Sequence, residues 1–141
     1  MLALPIPLVV SAVLGLLLVR SLLNKETHPL LQVLIAACAV QGLIVALHQY
    51  YGISMLRWVQ PVMAAAIPAI AWVAFVASTQ RPLQWPRDLR HVAGPLLVAM
   101  ALLLTTVSPL LDLLIPALFA GYGIALLRHP VSDSDGSPLA R

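Results

Sequence analysis

Charge is what this chain has least of. Of its 141 residues only 9% are Asp, Glu, Lys or Arg, while 61% are hydrophobic. Soluble domains carry about 25% charged residues, and a water-soluble globule of this size could not cover so much apolar surface. Disorder is excluded on the same grounds, because disordered chains are poor in aliphatic residues and rich in charge. Cysteine is almost absent: Cys38 stands alone, so it closes no intrachain disulfide and builds no zinc or iron–sulfur site by itself. Motifs of catalysis are missing too. The sequence holds no Walker loop, no Gly-x-Ser-x-Gly, no His-Glu-x-x-His and no paired carboxylates. No two of its four histidines, His28, His48, His91 and His129, have the i,i+4 spacing of a helical metal site. The chain therefore reads as no enzyme, with no metal and no cofactor. No Lys or Arg precedes the first apolar run, so it does not resemble a cleaved signal peptide.

What the chain does have is long apolar runs, and its mean hydropathy is +0.97. Reading between charges gives five candidate spans, at residues 2–19, 29–47, 58–79, 92–107 and 110–127. Each approaches the roughly 20 helical residues that cross a 30 Å hydrocarbon core. The runs are continuous rather than alternating and rich in Leu and Ala, which favours helix over strand. The predicted architecture is all-α: an integral membrane helical bundle of about five transmembrane helices over residues 1–128. Residues 129–141, rich in Ser, Asp, Gly and Pro, read as a flexible cytoplasmic tail or linker. The last two spans are predicted to form a hairpin turning at Ser108 and Pro109. Pro29, Pro95 and Pro109 read as helix starts, where a missing N–H costs nothing. Pro68 and Pro116 fall inside spans, where each is expected to kink its helix.

Basic residues orient the bundle. With the N-terminus outside, Arg20, Lys25, Arg81, Arg87, Arg90, Arg128 and Arg141 all face the cytoplasm and only Arg57 faces out. The positive-inside rule thus predicts N-out, C-in. The loop from Arg81 to His91 carries three arginines and could hold an anionic lipid headgroup, although topological retention alone explains those charges.

Few residues within the spans are polar, and these are the ligand-pocket candidates. Gln41 lies mid-span, where an amide either bonds a neighbouring helix or contacts a ligand. His48 closes the second span on the outer side and either titrates there or rests at the interface. Gln60 opens the third span. Trp72 lies deep in that span, away from a belt position, and its indole N–H wants a partner; packing and pocket lining are both open to it. Asp112 is the carboxylate nearest an apolar run, a functional candidate by default, yet its first-turn position also suits a hydrated helix N-terminus. Tyr122, between Gly121 and Gly123, sits at a point of close packing. Ala65, Ala69 and Ala77 form a small-residue stripe that permits close helix approach and allows homo-oligomers through such faces. Lipid bilayer is the predicted partner; a small ligand of unknown identity is left open.

The order of several segments resembles a known family. These are Tyr51-Gly-Ile, Gln60-Pro-Val-Met-Ala-Ala, Ala71-Trp-Val-Ala-Phe75, Arg87-Asp-Leu-Arg90, Gly94-Pro-Leu-Leu97, Asp112-Leu-Leu-Ile-Pro116, Gly121-Tyr-Gly and Leu126-Leu-Arg128. Over residues 40–141 the chain resembles the N-terminal membrane region of membrane-bound bacterial AraC-type transcription regulators. The resemblance implies a sensory or anchoring domain, multi-pass in the bacterial inner (cytoplasmic) membrane. In that family the pattern continues through about two more membrane helices into a helix-turn-helix DNA-binding region. This sequence stops at Arg141, within what resembles the linker, so the expectation is a chain truncated before that region, with no direct nucleic-acid binding of its own. Two other functions fit the same composition: a small transporter or transporter subunit for an apolar substrate, and a structural protein acting through helix partners.

Overall fold

A computed structural model describes residues 5–24, 27–79, 82–104 and 109–128. Helix α1 spans Ile6–Leu23, α2 Pro29–Gln49 and α3 Leu56–Thr79. A four-residue helix α4, Trp85–Asp88, passes through a 3-10 turn, Leu89–Val92, into α5, Ala93–Leu104; α6 is Pro109–Arg128. The described residues are thus all-α, with five helices of at least 12 residues. Four segments are long and apolar enough to cross a membrane: Ile6–Leu23, Pro29–Gln49, Leu56–Thr79 and Leu111–Arg128. Their mean hydropathies run from 1.6 to 2.4, and the chain is a multi-pass membrane protein by helix length and hydropathy. The expected fourth span is the exception. The 12 residues of α5 rise only about 18 Å, and residues 105–107 lie outside the described part, as do the expected turn at Ser108 and the tail 129–141.

Local chemistry sets the helix ends. Pro5 caps α1 and Pro7 occupies its first turn, where no backbone donor is lost. Pro29 opens α2, and His28 Nδ1 accepts the Leu30 N–H at 3.3 Å. The first span does not stop at Arg20 as expected; α1 carries that arginine in its last turn and ends at Leu23. A guanidinium there complements the helix dipole and reaches the interface along its own stem. Between α2 and α3 the chain turns at Gly52, whose φ of 70° favours glycine. Helix α3 remains continuous across Pro61 and Pro68, and α6 across Pro116.

The helices alternate in direction. Ser11 Oγ donates to the Ala39 carbonyl and Gln32 Nε2 to the Ser21 carbonyl, so α1 and α2 are antiparallel. Gln41 Nε2, just past the middle of α2, donates to the Gln60 carbonyl in the first turns of α3. His91 meets Tyr122, and a Cβ on Gly94 would touch Leu118 at 3.4 Å, which makes α5 and α6 an antiparallel hairpin. Helix α3 is central, packing against α2, α5 and α6. Its alanine stripe is used within the chain: Ala65 is 1% exposed and Ala69 7%. This alternation gathers Arg20, Arg87, Arg90 and Arg128 at one end of the bundle and leaves Arg57 at the other.

The α1–α2 approach gives a first prediction. A Cβ on Gly42 would lie 3.2 Å from both the Pro7 carbonyl oxygen and Ser11 Cβ, whereas one on Gly15 would meet nothing within 4 Å. Gly42→Leu should lower stability by about 1–3 kcal/mol through overpacking, and Gly15→Leu by no more than about 0.5 kcal/mol. Unfolding in mixed micelles measures both; equal effects would show that the two helices do not meet at Gly42.

Candidate functional site

Three aromatic rings from three elements converge at the arginine-rich end. Trp72 comes from α3, about two turns from its C-terminus; His91 from the 3-10 turn; Tyr122 from α6. Ring centroids are 6.1 Å apart for Trp72 and His91, 6.5 Å for Trp72 and Tyr122, and 5.6 Å for His91 and Tyr122. All three pairs are tilted by 50–54°, between the stacked and the edge-to-face arrangements. A hydrogen bond joins two of them, with His91 Nδ1 2.9 Å from the Tyr122 hydroxyl. The hydroxyl donates when Nδ1 carries a lone pair and accepts when Nδ1 is protonated.

His91 lies between two cavities. One, of about 300 Å³, is lined by Trp72, His91, Leu118, Gly121 and Tyr122 among others. The second, about 350 Å³, is a groove between α2, α3 and the start of α5, with Leu30, Val33, Ala66 and Ile70 on its walls. Its lining is apolar except at one end, where Asp88 and His91 project from the same short helical stretch. Asp88 also closes that stretch upon itself, its Oδ2 accepting the Gln84 N–H at 2.8 Å. A volume of this size is at the small end of ligand pockets, and an apolar wall with a few polar groups is their usual composition.

Two of the six sequence candidates, Trp72 and Tyr122, meet at this cluster. Gln41 and Gln60 meet elsewhere, about 18 Å further along α3, through the Gln41 side chain and the Gln60 backbone at 3.3 Å. Gln41 Oε1 is buried there without a hydrogen-bond partner. His48 Nδ1 lies 3.2 Å from the Ile53 carbonyl oxygen and so braces the α2–α3 connection. Asp112 is exposed in the first turn of α6, at the end remote from the triad. His91 and Asp88 were not among the candidates, because a residue beside three arginines reads as surface. A signal was nevertheless present: folding the last two spans about the expected turn at Ser108 and Pro109 brings position 91 within about one helical turn of 122. Among the described residues no group of three or more His, Cys, Asp or Glu could hold a metal ion.

Compared with family models, curated proteins and solved structures, the chain matches none.

The His91–Tyr122 bond is measurable by a double-mutant cycle of His91→Phe and Tyr122→Phe. Interhelical hydrogen bonds in membranes contribute about 0.6 kcal/mol on average and up to about 1.7, so a coupling energy of about 0.5–1.5 kcal/mol is expected. Strictly additive single effects would mean that the bond contributes nothing to holding the 3-10 turn against α6.

Proposed function

We propose that this chain is a membrane-embedded sensory and anchoring domain of the kind carried by AraC-type regulators. It lies in a bacterial inner membrane with its N-terminus outside and Arg128 at the cytoplasmic face. One observation carries the reading: the Trp72–His91–Tyr122 cluster joins α3 to the α5–α6 hairpin, between two cavities, one and a half turns before α6 ends. A sensor needs a joint with two arrangements whose balance a ligand can shift. The His91–Tyr122 hydrogen bond among three tilted rings is weak enough to be rearranged by the differential affinity of a modest ligand. The displacement then has a direct route out, because α6 leads into the tail. The gathering of arginines at one end supports the orientation. A transporter reading has less to work with, since the polar groups along the described spans are few and Asp112 lies at a helix end.

Orientation is tested by reporter fusions. A reporter joined after Arg90 should score as cytoplasmic; an external location there overturns the topology. The joint itself is tested with a fluorophore on Leu127→Cys, at an exposed position in the last turn of α6, in a Cys38→Ala background. In lipid nanodiscs Tyr122→Phe and Trp72→Phe should each shift its emission or anisotropy while helix content stays constant. An unchanged probe in both variants would reduce the domain to an anchor.

A further inference from the structure

On the far side of α2 from the groove, where α1 ends and α2 begins, lies a pocket of about 250 Å³. It is lined by Leu17, Arg20, Ser21, Asn24, Thr27 and Ile35. Its composition is graded. Leu17 and Ile35 lie toward the span interior, and the polar side chains lie in the last turn of α1 and the connection that follows.

The polar groups of this pocket are unused. No hydrogen bond or ion pair engages the side chains of Arg20, Asn24 or Thr27 among the described residues. Ser21 is only 9% exposed, and its Oγ is buried without a hydrogen-bond partner. A buried hydroxyl lacking a partner is costly, and more so at membrane depth. Among the described residues the pocket therefore presents a guanidinium, an amide NH2 and the Thr27 hydroxyl, and no carboxylate lines it. That set suits a phosphate oxygen cluster. The helix end would ordinarily oppose an anion, because the last carbonyls of α1 carry partial negative charge. Here two of them are occupied. The Arg20 carbonyl accepts the Asn24 N–H at 3.1 Å, and the Ser21 carbonyl accepts both that N–H at 3.2 Å and Gln32 Nε2 at 3.0 Å.

We propose that this pocket binds the phosphate of an anionic phospholipid, with the acyl chains descending past Leu17 and Ile35 into the bilayer. Its place at the boundary of two spans is the level at which headgroups lie. The proposal does not depend on the sensory reading, since neither the triad nor the groove contributes to it.

The test is lipid retention by the full chain in detergent, read by native mass spectrometry with phosphatidylglycerol or phosphatidylcholine added. One phosphatidylglycerol should remain bound where phosphatidylcholine does not. The variant Asn24→Ala/Thr27→Val changes no charge, and it should lower that occupancy roughly fivefold; Thr27→Val alone, nearly isosteric, should lower it in the same direction. Arg57→Gln, at the other end, should leave it unchanged. If Arg20→Gln reduces retention but the uncharged variants do not, the arginine acts as a point charge and the pocket is not a site. Millimolar inorganic phosphate that binds equally well and displaces the lipid would also overturn the assignment, by making the occupant a free anion.

Discussion

Helices in a bilayer gain nothing by hiding apolar side chains from lipid, because the tails are as apolar as leucine. Association must come from close backbone approach and from a few interhelical hydrogen bonds. The bundle depends on that constraint, and α3 is where it is met. Ala65, Ala69 and Ala74 are buried on that helix, beside Pro68 and Val76. Small residues let α2, α5 and α6 all approach one central element. Gly42 does the same for α1 and α2, and Gly94 for α5 and α6. Ala65 and Ala69 of the alanine stripe are thereby buried inside the chain, while Ala77 is half-buried. An oligomer built through small-residue faces would have to use other surfaces than Ala65 and Ala69.

The interhelical hydrogen bonds obey a second economy. Each uses a side chain to reach a backbone carbonyl or another side chain across one helix pair: Ser11 to Ala39, Gln32 to Ser21, Gln41 to Gln60, His91 with Tyr122. A carbonyl already bonded within its helix keeps a second lone pair, so these donors add links without unwinding the acceptor helix. Gln41 shows the limit of the device. Its NH2 finds the Gln60 carbonyl while its own oxygen is buried without a partner, which offsets part of what the bond contributes.

Much of the fold was legible because lipid imposes simple rules. Span positions followed from uninterrupted hydropathy, and Pro29 and Pro109 marked helix starts that the structure keeps. The first span runs past Arg20 to Leu23 because a charge does not stop a helix whose long cationic stem reaches the interface. Of the fourth expected span the described part is the helix Ala93–Leu104, and residues 105–107 lie outside the described residues. Of the site, Trp72 and Tyr122 were legible as aromatic rings inside spans. Their meeting was not, since it depends on which faces of α3 and α6 oppose each other and hydropathy alone does not report rotation about a helix axis. His91 was hidden by its neighbours: Arg87 and Arg90 mark the stretch as surface, but Asp88, His91, Val92 and Pro95 share the opposite face and line the groove.

The two ends of the bundle now differ in kind. At the Arg57 end, the polar side chains close backbone connections: His48 holds Ile53, and Asp112 stands exposed in its first turn. At the other end are the triad, both cavities beside it and the open donors around Arg20. That asymmetry has a physical origin in alternation. Helices α1, α3 and α6 finish there while α2 and α5 begin, so orphan carbonyls and orphan N–H groups meet at one level. Side chains that cap them, such as His28 and Gln32, are drawn to that level. Polar residues that cap nothing become the ones available to other molecules. By this argument chemistry in so apolar a chain belongs at the boundary rather than at mid-depth, where Gln41 already pays for one unmatched oxygen.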